Sequence, residues 1–428
     1  MTPNKPPLGK VELIAIALGG MIGGGIFSIL GVSVEIVGSA TPIAIFIGGC
    51  LAFFASYSYA KLATYYKDEG ATYSFFKKTF PNYQYATSLI AWFIAFGYVS
   101  TLALYAYTFS SYFMSMFSSL PFPYQKQFVS FSVIAIFAAI NLISVKGMGR
   151  IEDFLVYTKV GLLVLISLLF LGSEQKTNFF QEFPGKPSGS LFVVAALTFV
   201  AFEGFQLVIH AYNEADNPDR NVPSAIYWSI FGATLIYFVL SIGALSTIST
   251  DLLIQDKEYA LAAGATRLLG RTGYAIVISG AILATSSAIN GTIFGASRLV
   301  SVIAQDGIFP RVLAKRKNGH IPTWSIMAMS LFAFVFILSG QLETIIEFGS
   351  ITFIIVSFLI AIANFHIKEK TKSNAILAIL AIVFLGSSAL AILYYEWTHD
   401  RQQVFYTFSI YSALALCARF LSRPKYVK

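Results

Sequence analysis

Apolar runs about as long as a bilayer is thick recur along nearly the whole 428-residue chain. A hydrocarbon core of about 30 Å takes about 20 helical residues. Windows of that length place spans at 11–37, 41–66, 84–117, 124–144, 151–172, 190–212, 222–249, 271–304, 323–340, 344–365, 374–395 and 401–421. Several exceed the minimum, which points to tilt or internal breaks. The runs do not alternate with a period of two, which argues against a β-barrel. Charge agrees: 12% of residues are charged, 56% are hydrophobic, and the mean hydropathy is +0.71. Soluble domains carry about 25% charged residues, and a soluble chain of this length would still have a large wetted surface to cover. The expected fold class is an all-α polytopic membrane protein with about 12 transmembrane helices.

The N-terminal MTPNKPPLGKVEL leads into an apolar stretch with no small-x-small cleavage site, so it is expected to open the first span. Basic residues between spans alternate in density. One set of segments holds Lys5, Lys10, Lys61, Lys67, Lys77, Lys78, Lys146, Arg150, Arg220, Arg311, Lys315, Arg316, Lys317, Lys368, Lys370, Lys372, Arg423, Lys425 and Lys428. The other holds Lys126, Lys176, Lys186, Lys257, Arg267, Arg271 and Arg401. The positive-inside rule puts the first set, with both termini, in the cytoplasm of a cell-membrane protein. The net charge of +8 then follows from topology and anionic headgroups, and no nucleic-acid partner is implied. Cys50 and Cys417 fall inside spans and are expected to be small apolar residues. The four histidines show no ligand spacing, so neither a metal nor another cofactor is expected.

A helix in lipid has to satisfy its own backbone, so glycine clusters and buried charge need explaining. In the first span, Gly19, Gly20, Gly23, Gly24 and Gly25 fall within seven residues. At about 1 kcal/mol per helical glycine, this costs roughly 5 kcal/mol relative to alanine. Close helix packing is one account, since Gly19–Gly23 and Gly20–Gly24 have small-xxx-small spacing. An unwound segment exposing amide N–H groups to a ligand is the other. The sixth span carries Glu203 and Gly204 at mid-depth. A charge there costs about 2.5–3.5 kcal/mol and normally faces the bundle interior or a cavity, although Glu203 could also be paired or protonated.

Lys159 lies in the fifth span, about two turns from one end. It could snorkel to the surface, or sit inside the bundle and load and release a proton. Spans one and six, both interrupted and five apart, fit an inverted repeat with a site near the midplane. Helix N-termini and free amides suit a carboxylate, and free carbonyls suit an ammonium. An amino acid carries both groups.

Four segments now bear on family. GGMIGGGIFSILG resembles a glycine-rich G-x-G-I-F signature, and YAKLATYYKDEGATYSFFKKTFPN resembles a first cytoplasmic loop with a short helix near Thr72–Thr79. FVAFEGFQLVIHAYNEADNPDRNVPSAI resembles a sixth span with its N-P-x-R-N-x-P-x-A-I loop. SSAINGTIFGASRLVSVIAQDGIFP resembles an eighth-span block. Together, in this order, they resemble the amino acid–polyamine–organocation superfamily over most of the chain.

The resemblance implies a leucine-transporter-like fold: a first repeat over 11–172, a second over 190–365, and two further helices over 374–421. It implies that Ile22, Gly23, Gly24, Gly25 and Ile26 receive the carboxylate and amine of an amino acid substrate. Phe199, Ala201, Phe202, Glu203 and Gly204 would form the other wall, with Phe202 as a gate, and Tyr98 and Ser100 would face the same cavity. Lys159 resembles the fifth-span lysine of proton-coupled amino acid transporters, where an ammonium replaces the sodium ion of other relatives. Its implied neighbours are Ser286, Ser287, Gly19 and Gly20, with the proton as coupling ion. Arg298 and Asp306 would serve gating or structure. Glu203 departs from the apolar or small residue of many relatives; it could attract a cationic side chain, bind the α-amine or carry a proton. The expected activity is secondary transport, not catalysis, by proton-coupled symport. An exchanger without obligatory proton coupling and a non-transporting membrane sensor are the alternatives.

Overall fold

The computed structural model describes residues 7–117, 124–143, 148–173, 188–317 and 321–422. Of the basic residues used for orientation, Lys5, Lys146, Lys176, Lys186, Arg423, Lys425 and Lys428 lie outside these ranges.

Every span expected from hydropathy is occupied by a helix or by two half-helices. The first is divided into α1 (Lys10–Met21) and α2 (Gly24–Val37). Then come α3 (Thr41–Tyr66) and the short α4 (Ala71–Thr79), close to the loop helix expected there. The next three spans are α5 (Gln84–Met114), α6 (Gln125–Ile143) and α7 (Met148–Leu171). The sixth starts as α8 (Ser188–Leu197), tightens to a 3-10 helix over Thr198–Phe202, breaks, and resumes as a 3-10 helix over Phe205–Glu214. Next are α9 (Pro218–Thr247), the short α10 (Thr250–Gln255) and α11 (Ala260–Gln305). The last four are α12 (Thr323–Ser339), α13 (Leu342–His366), α14 (Ala375–His399) and α15 (Arg401–Phe420).

α11 bends at Gly270, whose φ of 58° lies in the left-handed region. Its first part and α10 form a helical loop before the eighth span that hydropathy did not disclose, because the segment is too short to cross a membrane. Among the described residues, eight helical stretches are long and apolar enough to cross one, and Leu155–Leu171 and Thr323–Ser339 are shorter apolar helices. Pairing of β type among them is confined to the bridges Leu8 with Ala215 and Lys317 with Ile321.

At the centre, α5 packs on α11, α13 and α6, while α1 lies against α9, α7 and the second 3-10 segment. α14 rests on α13, α3 and α8, and α15 on α5 and α14. The outer face of α14 exposes Ile376, Val383, Leu390 and Tyr394. An apolar face of that length is one that lipid covers. Cys50 and Cys417 are half-buried free thiols, less enclosed than expected.

Ion pairs mark the two ends of the bundle. At the end that holds Leu8 and Asp216, joined backbone to backbone at 2.8 Å, Lys67 pairs with Asp219 and Lys77 with Asp306, each at 2.8 Å. At the opposite end Lys257 joins Glu35, at 2.8 Å, to Glu343, and Lys126 pairs with Glu258. Asp306 also accepts from Tyr73 at 2.7 Å, which ties α4 to the end of α11; Arg298 donates to the Phe294 carbonyl at 2.6 Å.

In the loop before α4, Asp68 accepts from the Gly70 amide at 2.7 Å, from Ser74 and from Lys78. Partial burial pushes this carboxyl up, but the hydrogen bonds from Lys78, Ser74 and Gly70 outweigh it and hold it below its ordinary value. A carboxylate with a depressed folded pKa adds stability above its unfolded pKa and loses it as pH falls through the folded one. Asp68→Asn is therefore expected to lower the melting midpoint at neutral pH, with the gap to the parent closing below about pH 4. Melting curves in detergent across pH check this; a gap that persists in acid would contradict it.

Candidate functional site

The two interrupted helices break beside each other. α1 ends where Ile22 takes ψ 85°, and Gly23, at φ −127° and ψ −146°, precedes α2. No side chain caps α2. The amides of Gly24, Gly25 and Ile26 occupy its first turn, where an α-helix supplies no acceptor of its own. These N–H groups and the positive end of the helix are suited to an anion. In the sixth span, Glu203 is extended at φ −66° and ψ 133°, and Gly204 sits at φ 123°.

Contact between the breaks explains Gly20, Gly25 and Gly204. A Cβ on Gly204 would lie 2.4 Å from the carbonyl carbon of Gly20, and one on Gly25 would lie 3.0 Å from the Cα of Ala201. Backbone meets backbone at both points, so Gly20 faces Gly204 and Gly25 faces Ala201. Tyr237 of α9 completes the junction. Its hydroxyl reaches the Met21 carbonyl at 2.9 Å and the Ala201 carbonyl at 3.2 Å, one beside each break. Its ring centroid is 5.4 Å from that of Phe202.

Beside the breaks is a cavity of about 30 Å³ lined by Gly20, Glu203, Gly204, Tyr98, Tyr105 and Thr292, among others. Tyr98, Thr101 and Tyr105 of α5 all line it, as i, i+3 and i+7 spacing on one helix face permits. Ser100, two residues from Tyr98 and therefore about 200° around the helix, turns the other way. Its hydroxyl donates to the Ile345 carbonyl of α13 at 2.9 Å. Phe199 and Phe202 are fully buried, as is Ile22. Glu203 is 5% exposed. One of its oxygens accepts from Gln206, whose amide also approaches the Tyr98 hydroxyl at 3.4 Å. The other oxygen has no hydrogen-bond partner.

Lys159 does not snorkel. It is 1% exposed. Its ammonium donates to the Gly19 carbonyl at 2.6 Å and to the Ser287 hydroxyl at 3.1 Å, which ties α7 to α1 and α11. Gly19 permits the approach, since a Cβ there would lie 2.6 Å from a methyl of Val156. Ser287 faces the ammonium, whereas Ser286 is half-buried, and Gly20 lines the cavity.

Sequence reasoning brought together the glycines, Glu203, Tyr98, Lys159 and Ser287 but did not single out Tyr237, Tyr105, Thr101 or Thr292. Tyr105 and Thr101 were recoverable from helical spacing to Tyr98. Tyr237 sits in an ordinary apolar span and carried no such signal.

Two broken helices meeting beside a cavity, inside a bundle of membrane-spanning helices, define a polytopic helical membrane protein. The sequence pattern of the amino acid permeases matches residues 8–417, and the chain belongs to that family. This is a transporter family and not an enzyme family. Among similar proteins, the uncharacterized protein MJ0609 of Methanocaldococcus jannaschii is 28% identical, over 91% of this chain and 89% of its own. The inner membrane transport protein YbaT of Escherichia coli is 25% identical over 99% and 98%. The branched-chain amino acid permease BcaP of Bacillus subtilis is 24% identical over 86% and 82%.

Tyr237→Phe keeps the ring against Phe202 and removes the hydroxyl that both breaks share. Leaving buried carbonyls short of a donor costs about 1–3 kcal/mol, so the melting midpoint should fall by several degrees. Gly204→Ala adds a methyl into the Gly20 backbone at a positive φ and should be more damaging. Parallel melts of the two purified variants check the order; an unchanged midpoint for both would contradict the junction.

Proposed function

We propose that this protein carries amino acids across the cell membrane by alternating access, coupled to the proton through Lys159. The observation that supports this most directly is the buried ammonium of Lys159, which joins α1, α7 and α11 next to the α1 break. A hydrogen bond to a charged group is worth about 1.5–3 kcal/mol. Losing the proton weakens both bonds together and loosens the three helices. Such a step biases a two-state equilibrium without any movement imposed from outside.

Under this reading the substrate carboxylate binds the amides of Gly24, Gly25 and Ile26, and the wall opposite is Phe199, Ala201, Phe202, Glu203 and Gly204. A cavity of about 30 Å³ has room for about two waters, so an amino acid enters only when the walls part. Phe202 is the side chain we assign to gating that motion. The five-plus-five inverted repeat has support in chain order. Breaks occupy the first and sixth spans, and short loop helices follow the second span (α4) and the seventh (α10). Ser422 donates to the Ile308 carbonyl at 3.0 Å, just past Asp306, so the basic loops at the end that holds Leu8 and Ser422 support cytoplasmic termini by the positive-inside rule.

In proteoliposomes, an inward proton gradient should drive amino acid uptake, and Lys159→Ala should abolish the gradient dependence while the protein still binds substrate in a thermal-shift assay. Gradient dependence that survives in Lys159→Ala would remove Lys159 from coupling. Counterflow at equal pH with no uptake into empty vesicles would instead identify an exchanger.

A further inference from the structure

Resting on the transporter reading above, a further inference concerns which amino acids fit. Among the described residues, Glu203 supplies the one carboxylate lining the cavity. It is 5% exposed, and one oxygen is held by Gln206 while the other has no hydrogen-bond partner. The ammonium of Lys159 is directed to Gly19 and Ser287. Burying a carboxylate is costly unless a cationic or hydrogen-bonding group faces it. The surrounding wall favours such a group. Tyr98 and Tyr105 bring two aromatic rings to the same cavity, and Thr101 and Thr292 bring hydroxyls. Aromatic faces attract ammonium and guanidinium groups, and hydroxyls accept from them.

The position along the breaks separates this feature from the carboxylate site. Gly25 faces Ala201, whereas Gly20 faces Gly204, so Glu203 stands beside the break on the Gly20 side of the α2 amides. With the α-carboxylate at Gly24–Ile26, as proposed above, the cavity that Gly20 and Glu203 line is the space open to the ligand's other groups. We propose that the substrates are amino acids with a second cationic group, whose side-chain ammonium or guanidinium binds the free oxygen of Glu203. Gln206 is a positioning residue: its amide donates to the other oxygen and leaves this one without a partner.

The test compares isosteres that differ in this charge: lysine against norleucine and arginine against citrulline, each competing with a labelled amino acid that the reconstituted protein transports. A charge-assisted hydrogen bond of about 1.5–3 kcal/mol corresponds to a preference of about 10- to 100-fold for the cationic member of each pair. Glu203→Gln should collapse that ratio toward one, and Glu203→Asp should retain part of it. Equal competition within both pairs in the parent protein would overturn the inference, whether or not the variants fold. So would a Glu203→Gln variant that weakens both members equally, because the carboxylate would then serve the α-amine. Uptake of neutral amino acids without a cationic preference overturns this inference alone. Absence of transport for every amino acid overturns the transporter reading and this inference with it.

Discussion

Lipid offers no hydrogen bonds, so an interrupted helix can exist within a membrane only where protein surrounds the interruption. The architecture at the centre of this molecule follows from that rule. The break after Met21 and the break at Glu203–Gly204 are enclosed by α5, α9 and α11, and their backbones touch at Gly20 and Gly204. Tyr237 serves one carbonyl beside each break with a single hydroxyl. The glycines of the first span release the helix, and two of them, Gly20 and Gly25, let a second broken helix come close enough to share the Tyr237 hydroxyl. A side chain at Gly204 would separate the pair and leave polar backbone facing empty space.

A buried cation has a related role. Lys159 places positive charge beside the carbonyl end of α1, where the helix dipole is negative, and its second bond to Ser287 brings in α11. The interaction is therefore shared by three helices and not confined to one. Because the carbonyl belongs to Gly19, in the last turn before the break, any change in the ammonium is felt within a few residues of the candidate ligand site.

Much of this was legible in the sequence because lipid restricts the possibilities so strongly. Span positions followed from apolar length alone, and mid-span Glu203, Lys159 and the glycine run stood out as exceptions to a simple rule. What escaped detection obeyed the rule. Tyr237 is an aromatic residue in an apolar helix, and its importance lies in which carbonyls it reaches. The helical loop before Gly270 is too short and too polar for a hydropathy window. Ser100 shows the converse limit: nearness in sequence to Tyr98 said nothing about direction, and a helix turns adjacent even-numbered positions to opposite sides.

The magnitudes also separate what can drive a change of state from what can only follow it. The ion pairs at the two ends all reach solvent, Lys67 with Asp219 most and Lys77 with Asp306 less, and solvent-reached pairs contribute about 0.2–1 kcal/mol each. Lys257, which bridges Glu35 and Glu343, is partly shielded but still at a wetted end. Reversing a two-state equilibrium from 1:99 to 99:1 takes about 5.5 kcal/mol. A handful of such pairs on one end, opposed by a similar handful on the other, does not supply that difference. Under the proposed mechanism, contacts at the buried centre can: two hydrogen bonds to the Lys159 ammonium, a substrate carboxylate on the amides of α2, and a cation on Glu203. Under the proposed mechanism the surface pairs therefore hold each closed end weakly enough to part, and the decision between states is made at the breaks.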